Sequence, residues 1–512
     1  MKLRHLLFGL LAGVAFVACT NDDDPAGASP VNGGDKMATA DKYISVNLKT
    51  PGSAATRAET EAATEAENEV KKATFLFFKG EDQVADPFTI AAGGNDANGD
   101  AWTPGTAATK APVIVMKNPT DIPTSLVVLI NYGGTVAKAT KLTALQAVVA
   151  DYSATTNGFV MSNSVYNDAS NANVIGAPVA PENVCETPAA AKATPVKVYV
   201  ERVLAKVTVD KAENAQIESG FEGITVDITG WNLVYDNTQS YLIKKLATSY
   251  AYDWTWNDPT NHRSYWADAA TYKKGTGTAY NAASALGAVL YTQENTAFST
   301  KFTEGAESNP TAVVVNATLK KDGKAVDLYK FRGVVYALED LKTLLANGTT
   351  YYKKTTTETE TTYTKLVGND FDLEIDATAG ESYEAKVNLK LAASVTGDLV
   401  DANKQAITAA AINTALKSAA QIVEYWKGGA TYYYVPIKQH AAETETDKDV
   451  YGVVRNHIYK LTIKKVQGLG TAVPDPEQII DPVTPEEKDY YIAAEINILD
   501  WKLVEQDVNL GE

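Results

Sequence analysis

Two residues of this sequence have the type and the position for covalent chemistry: Cys19 and Arg57. Cys19 follows an apolar run that begins at Leu6, and basic residues precede that run. A basic segment followed by a short apolar run is the pattern of a secretory signal, and the small residues just before Cys19 resemble a bacterial lipobox. The pattern predicts cleavage before Cys19 and acylation of this residue, which would anchor the chain in a membrane. An ordinary signal peptide that is cut nearby is the alternative.

Arg57 has the side chain that an Arg-specific protease recognises, and its surroundings predict access. It lies in a stretch rich in Glu, Ala and Thr that has no apolar periodicity up to Glu69, so we expect an exposed loop there. Of the other arginines, one lies in the signal and Arg263 is a weaker candidate. Three lie in strand-like apolar contexts: Arg202, Arg332 and Arg455. We predict a cut between Arg57 and Ala58; the alternative is that Arg57 is simply a loop cation.

Residues that usually perform catalysis or bind metals are scarce. The chain has four His and two Cys, and it lacks hydrolase, metalloprotease, phosphate-binding and dinucleotide-binding motifs. We therefore predict no catalytic residue, no metal site and no cofactor. If Cys19 is acylated, Cys185 has no disulfide partner and is expected to be a small buried apolar residue. Residues 95–100 are rich in Asn and Asp, but their spacing differs from that of an EF-hand, so a turn is predicted.

Charge and aromatic content bear on possible ligands. A formal net charge of -17, from 63 acidic and 46 basic residues, argues against nucleic acid as a partner, because phosphate binding needs a concentrated cationic face. Six aromatic residues crowd one stretch and would stack on sugars if they were exposed: Tyr250, Tyr252, Trp254, Trp256, Tyr265 and Trp266. Aromatic residues in a β-domain more often pack in the core and its rim. A surface glycan-binding lipoprotein is therefore the alternative function.

The elements that must position these residues are mostly strands. With 512 residues, of which 45% are hydrophobic, the chain exceeds the size of a single core, so two domains are expected. Short apolar segments between turn residues predict antiparallel sandwiches and few helices, which is an all-β fold with minor helices. In residues 43–48, Ile44, Val46 and Leu48 alternate with polar residues, as is typical of a half-buried strand.

Some local structure is predicted in the second half of the chain. Residues 313–319 and 326–331 are expected to pair as a hairpin through a turn at Asp322 and Gly323. Residues 406–426 have a pattern that predicts a helix.

Several of these features occur together in one family of surface proteins. Residues 198–207, which contain the pair Glu201 and Arg202, resemble the central motif of fimbrillins. Residues 451–461 resemble the C-terminal-domain motif of the short-fimbria major subunits. The chain thus resembles a Bacteroidales fimbrillin, a type V pilin. Residues 236–450 carry little of this resemblance.

The resemblance implies a cell-surface fimbria that is built from subunits with two transthyretin-like β-sandwich domains in tandem. In this family the subunits are exported as outer-membrane lipoproteins, and a trypsin-like protease cuts them after an Arg and removes the first strand. The C-terminal strand of a neighbouring subunit then fills the vacated groove. The implied segments are the signal peptide (1–18), the tether with the removable first strand (19–57), the N-terminal sandwich (58–235) and the C-terminal sandwich (236–512).

The same resemblance assigns site residues. Arg57 and Ala58 flank the cut, and the removed strand contributes Ile44, Val46 and Leu48. The donor strand lies within residues 490–510, and its apolar side chains change phase, which suggests two donor segments with a bulge between them. These donor side chains are Ile496, Ile498, Trp501, Leu503, Val508 and Leu510.

The implied partners are copies of the chain in a head-to-tail polymer, anchor and tip subunits, the Arg-specific protease and, before maturation, the outer membrane through the lipid. Because the chain has both the Arg57 loop and the tail, we predict a stalk subunit. An anchor or tip subunit is the alternative.

Overall fold

The computed structural model describes residues 40–49, 63–105, 110–163, 166–167, 173–245, 269–270, 278–296, 310–438, 451–477, 479–480 and 491–498. Within these residues strands predominate and helices are short, which confirms the predicted all-β fold with minor helices. None of the helices in these segments is long and apolar enough to cross a bilayer.

The described chain up to Arg202 contains twelve strands and three short α-helices. The strands are β1 (Lys42–Lys49), β2 (Lys72–Lys79), β3 (Asp82–Gln83), β4 (Phe88–Ala91), β5 (Val113–Met116), β6 (Ser125–Ile130), β7 (Val149–Ala150), β8 (Met161–Asn163), β9 (Tyr166–Asn167), β10 (Asn173–Val174), β11 (Ala177–Pro178) and β12 (Val196–Arg202). The helices are α1 (Glu65–Asn68), α2 (Leu142–Gln146) and α3 (Pro188–Ala191).

The remaining described chain continues mainly as strands, with two longer helices. The strands are β13 (Leu204–Glu218), β14 (Ile224–Val234), β15 (Ser240–Tyr241), β16 (Thr278–Ala279), β17 (Val289–Gln293), β18 (Ala312–Lys321), β19 (Lys324–Ala325), β20 (Leu328–Phe331), β21 (Val334–Ala337), β22 (Tyr352–Thr356), β23 (Thr361–Lys365), β24 (Phe371–Asp376), β25 (Glu384–Leu391), β26 (Asp398–Val400), β27 (Gln421–Trp426), β28 (Ala430–Pro436), β29 (Ile458–Gln467), β30 (Thr471–Ala472), β31 (Ile479–Ile480) and β32 (Tyr491–Ile498). The helices are α4 (Leu338–Asn347) and α5 (Ala409–Ser418).

The first sheet runs in the order β3-β2-β6-β8-β12-β1-β5, with β4 added on β2 and β11 on β6. It is covered on both faces. On one face Phe75 and Phe77 of β2 join the core that contains the β1 side chains, and on the other face Leu76 and Phe78 pack with Leu242. Because both faces are covered, β2 is a nearly continuous apolar run and does not alternate as a half-buried strand would.

Two further sheets share a second core. Their strand orders are β17-β13-β29-β32 and β14-β18-β28-β30. Val207 and Leu461 enter this core from the first of these sheets, and Trp231, Val315 and Tyr433 enter it from the second. β13 and β29 are parallel neighbours although they are far apart in sequence, so this sandwich forms only when the two halves of the chain meet.

The chain changes sheets between β12 and β13, at Val203, and later returns. β15 pairs with β7, and Leu242 and Ile243 pack on the outer face of the first sheet. Because the chain crosses between the two regions more than once, no single residue separates them. The division between residues 235 and 236 stays a prediction.

An inserted unit lies between β19 and β28. It contains a five-stranded sheet, β21-β20-β27-β25-β24, a three-stranded sheet, β23-β22-β26, and the helices α4 and α5. Its own core includes Phe371, Leu391 and Ile412, all buried. The strands β18 and β28, which flank the insertion in sequence, pair with each other, so the unit emerges from the end of one hairpin of the second sandwich.

Two local predictions are corrected here. The turn at Asp322 and Gly323 is present, with positive φ at both residues, but β19 stops after two residues, and β20 pairs instead with β21 and β27. The predicted helix over residues 406–426 is shorter, because α5 ends at Ser418 and β27 follows it. In both cases the segment is a strand of the inserted five-stranded sheet: β20 had been predicted to pair with β18, and β27 had been predicted to be helical.

Candidate strand-exchange site

β1 lies inside the first sheet, between β5 and β12. Its first half, from Lys42 to Ser45, is antiparallel to β5, and its second half, from Val46 to Lys49, is parallel to β12. The predicted strand at residues 43–48 is therefore present, and it has neighbours on both sides.

Each half of β1 also has a hydrogen-bonded partner on its opposite edge. Tyr43 exchanges two backbone hydrogen bonds with Cys185, at 2.8 and 2.9 Å. Further along, the amide of Val46 donates to the carbonyl oxygen of Pro112 at 2.9 Å, and that of Leu48 donates to Lys110 at 3.0 Å. We call the space that β1 occupies the β1 slot; its walls are residues 110–116 on one side and Cys185 with β12 on the other.

The side chains of β1 fill the floor of this slot. Ile44, Val46 and Leu48 are each 0% exposed and belong to the core of the first sheet, together with Ile114 and Val198 on the two walls. At roughly 1.5–3 kcal/mol for each buried aliphatic side chain, the three contribute about 5–9 kcal/mol. Departure of β1 would therefore cost the subunit about this much free energy until another strand restores these contacts.

The segment that follows the predicted cut is fixed by a helix cap. Thr64 caps α1: its Oγ1 accepts from the amide of Glu67 at 3.3 Å, and its own amide donates to Glu67 Oε2 at 2.7 Å. This reciprocal arrangement satisfies two amides that the helix leaves unpaired. The sequence pattern Thr64-x-x-Glu67 is a signal for this cap, although the cap was not among our predictions.

Glu67 is also the centre of a buried polar network. Its Oε1 accepts from Tyr291 OH at 2.7 Å and lies 2.9 Å from Lys206 Nζ. Burial alone raises the pKa of the Glu67 carboxyl, but the hydrogen bonds from Tyr291, Lys206 and Thr64 outweigh it and lower this pKa overall. Burial, reinforced by the hydrogen bond to Glu67, raises the pKa of Tyr291, so the phenol remains a donor.

Arg202, in the predicted central motif, connects α1 to the C-terminal part of the chain. Its Nε donates to the carbonyl oxygen of Glu67 at 2.7 Å, and its Nη1 donates to Asn456 Oδ1 at 3.1 Å. Its neighbour Glu201 is fully buried, with Oε2 2.9 Å from Lys244 Nζ. The two motif residues that the sequence singled out thus anchor the end of β12, one wall of the slot.

Arg455, in the second predicted motif, is also buried. Its Nη2 lies 2.9 Å from Glu294 Oε2 and donates to the carbonyl oxygen of Tyr241 at 2.7 Å. Arg202 and Arg455 are 4% and 0% exposed, so a protease cannot reach them in the folded chain.

Arg332 differs from its predicted strand-like setting. It is exposed and occupies, with Gly333, a two-residue turn between β20 and β21, in which both residues have positive φ. A protease binds its substrate extended, so this tight turn is a poor substrate despite its exposure. Arg57 and Arg263 lie outside the described residues.

The predicted donor residues are only partly described. Ile496 and Ile498 lie in β32, the last strand of its sheet among the described residues, which pairs antiparallel with β29 of the same chain, opposite Leu461 and Tyr459. Cys19, Ala58 and the aromatic stretch at residues 250–266 lie outside the described residues, as do four donor positions: Trp501, Leu503, Val508 and Leu510.

Two other predicted features are visible. Cys185 is buried, as predicted. Residues 95–100 form a turn in which the carboxylate of Asp96 accepts backbone hydrogen bonds. In the part of the chain that the structure describes, no group of His, Cys, Asp or Glu is arranged to hold a metal ion.

Two family models match this chain. Residues 43–202, which span β1 to β12, match the major fimbrial subunit protein (FimA). Residues 424–507, which include β28, β29 and β32, match the C-terminal region of the type IV major fimbrial subunit protein, fimbrillin. These matches confirm the predicted resemblance to a Bacteroidales fimbrillin. The inserted unit falls almost entirely between the two matched segments. A comparison with curated proteins finds no match.

Solved structures of fimbrial proteins are similar at low identity. A fimbrilin from Porphyromonas gingivalis is 14% identical, with 92% of this chain and 99% of that chain covered and a TM-score of 0.36. A C-terminally truncated tip fimbrial protein, Mfa3, from the same organism is 14% identical, with 90% and 100% covered and a TM-score of 0.33. Such distant similarity carries no conclusion by itself, and the family resemblance rests on the two matched segments.

Proposed function

We propose that this chain, which matches fimbrial subunit models at both its N-terminal and C-terminal portions, is a structural stalk subunit of a cell-surface fimbria. In this proposal it is exported as a lipoprotein through Cys19, cut between Arg57 and Ala58, and polymerised when the tail of another copy takes the place of β1. Its role is to support adhesion through the polymer, without catalysis.

The observation that carries this proposal is the position of β1. The strand ends at Lys49 and α1 begins at Glu65, so a cut after Arg57 would separate β1 from the rest of the chain. After the cut, only noncovalent contacts would hold it: backbone hydrogen bonds, apolar contacts and the ion pair between Lys42 and Glu186. The capped helix α1 and the Glu67 network follow the cut site, and they would keep the new N-terminal segment attached.

Loss of β1 would leave a strong template for another strand. Backbone donors and acceptors on β5 and β12 would lose their partners, beside an apolar floor that includes Ile114 and Val198. Unpaired strand edges with apolar pockets between them bind an added strand through main-chain hydrogen bonds and alternate side chains.

The donor would be the segment 490–510 of a second copy. Its six apolar side chains would contribute about 9–18 kcal/mol gross at roughly 1.5–3 kcal/mol each, which exceeds the contribution of the three β1 side chains. Part of this gain would offset the cost of ordering the tail and of association. Among the described strands, β32 pairs with β29 alone, so it can leave β29 more easily than a central strand could. Such a head-to-tail contact does not close, and it therefore propagates as a filament.

Mass spectrometry of the surface-assembled protein tests the proposal, because it reports both termini of the polymerised form. We expect an N-terminus at Ala58, and we expect Arg57→Ala to give a full-length monomer that keeps β1. Arg332→Ala is the matched control, because Arg332 is an exposed arginine in the described part of the chain; this variant should mature and polymerise normally. Polymers that retain residues 43–48 would overturn the proposal.

A further inference from the structure

We propose that Asp96 is the positioning residue that holds β5 in place once β1 has left, so that an incoming strand meets a slot with two walls. This inference rests on the proposed exchange of β1, and it concerns how the empty slot keeps its shape.

The two walls of the slot differ in what supports them. β12 pairs with β8 on the side away from β1, through Val200, Glu201 and Arg202. β5, in contrast, is the last strand of its sheet, and in the described part of the chain β1 is the one strand with which it pairs. Removal of β1 would therefore leave β12 paired with β8 but would leave β5 without the one strand with which it pairs in the described part of the chain.

A turn at residues 95–100 supports β5 from its other side. Asp96 Oδ2 accepts from the amide of Val113, the first residue of β5, at 2.8 Å. The amide of Ala97 donates to the carbonyl oxygen of Val113 at 2.8 Å. Neither bond involves β1, so both survive its departure.

The Asp96 carboxylate also holds its own turn rigid. Its Oδ1 accepts from the amides of Asn98 at 2.8 Å and Asp100 at 2.9 Å, while its carbonyl oxygen accepts from Gly99 at 3.0 Å. Asp96 is 9% exposed. A buried carboxylate that accepts three backbone N–H bonds is a strong, directional anchor, and this one ties the turn and β5 together.

The substitution Asp96→Asn removes the hydrogen bond to β5 and keeps those within the turn. The asparagine keeps one carbonyl oxygen for the amides of Asn98 and Asp100, but its nitrogen cannot accept from Val113. In the uncut precursor β1 still pairs with β5, so hydrogen exchange of the Ala97 amide, which donates to the carbonyl oxygen of Val113, should stay within twofold of the unmodified protein. In the cut subunit without β1, we expect this amide to exchange at least tenfold faster in the variant.

The functional readout is uptake of a synthetic peptide of residues 496–510 by the cut subunit. Asp96→Asn should slow it at least tenfold. Asp100→Asn is the matched control: Asp100 lies in the same turn, but its side chain is exposed and bonds to Lys192 and Asn98, not to β5. This control should behave as the unmodified protein in both assays. Asp96→Ser, which keeps a turn acceptor but is too short to reach Val113, should reproduce the loss if Asp96→Asn folds poorly.

Equal exchange of the Ala97 amide in the Asp96→Asn and unmodified cut subunits would overturn the inference. So would equal loss of protection in the precursor, because Asp96 would then be a general stability residue. If the unmodified cut subunit takes up no peptide, the proposed function fails. The hydrogen-exchange comparison still decides separately whether Asp96 holds β5.

Discussion

Lys206 on β13 and Glu67 on α1 form a buried ion pair at the point where the chain passes from the first sheet to the second. Nζ lies 2.9 Å from Oε1, and both side chains are less than a tenth exposed. Arg202 reaches the same helix from the end of β12 and joins it to Asn456. Because α1 begins shortly after the predicted cut, this pair ties the start of the trimmed chain to both β-sheet regions.

Breaking this pair should destabilise the protein strongly. Glu67→Gln leaves the Lys206 ammonium buried without its counter-charge, and loss of one partner of a buried pair costs about 3–5 kcal/mol. Urea denaturation of the precursor measures the change. The matched control is Asp121→Asn, which breaks the exposed pair with Lys79 and should change stability far less, because exposed ion pairs contribute little. Equal effects of the two substitutions would contradict a central role for Glu67.

The stabilisation by Glu67 should depend on pH. Its pKa in the folded chain lies below the ordinary value of 4.5, so its contribution is fully present above that value and is lost as the pH falls through the folded pKa. The difference in unfolding free energy between the unmodified protein and Glu67→Gln should be constant from pH 7 to about pH 5 and should shrink below the ordinary carboxyl pKa. Denaturation curves at a series of pH values test this. If this difference in unfolding free energy stays constant at the lowest pH values, the charge of the Glu67 carboxylate is not the source of the stabilisation.

Leu48→Ala tests whether β1 leaves after the cut. In the precursor Leu48 is 0% exposed, and truncation of a buried Leu costs about 2–5 kcal/mol. After the cut and the loss of β1, the variant and the unmodified protein have the same sequence, so their unfolding free energies should become equal. Ile122→Ala, on a partly exposed side chain, should change neither form by much. A deficit that persists in the cut variant would show that β1 stays in its slot.

A cross-link tests the identity of the donor. Val198 lies opposite Leu48 across the parallel pairing of β1 with β12, so a donor side chain in the slot should come close to it. With Cys185 replaced by Ala, the pair Leu503→Cys and Val198→Cys should link different subunits into ladders on oxidation. Cross-links confined to single subunits would exclude exchange.

A second cysteine pair shows whether β32 stays in its own subunit. Tyr459→Cys and Ile498→Cys lie opposite each other in the β29–β32 pairing. In the precursor this pair should form an intramolecular disulfide. If β32 leaves with the tail, the same pair should no longer link within one subunit of the polymer. Persistence of the internal link would limit the donor to residues beyond Ile498.

Cys19→Ala should abolish lipidation and surface assembly, because export in this proposal depends on the acylated cysteine. Metabolic labelling with a fatty acid and electron microscopy of the cell surface measure the two effects. Cys185→Ala is the control, since Cys185 is buried in the fold and should remain dispensable for labelling. Normal fimbriae with the Cys19 variant would remove the lipoprotein step.

Short sequence patterns correctly predicted the elements whose conformation is determined by neighbouring residues in the sequence. The alternation of Ile44, Val46 and Leu48 identified β1, and the turn at Asp322 and Gly323 formed as expected because both residues tolerate positive φ. The pattern Thr64-x-x-Glu67 held a capping signal of the same kind. The predicted strand-like setting of Arg332 was wrong, because its apolar context predicts a strand, whereas the following Gly333 marks a turn.

The sequence by itself determined that strands dominate, where β1 lies, which arginine has a low-complexity setting and which family residues 198–207 and 451–461 resemble. Only the tertiary structure decided that β1 sits between β5 and β12, that Lys206, Tyr291 and Arg202 converge on α1, and that an inserted unit emerges between β19 and β28. Which strands and side chains become neighbours depends on the shape and charge of surfaces that are far apart in sequence. A strand pattern records which of its faces is buried, but it does not record which strand lies beside it.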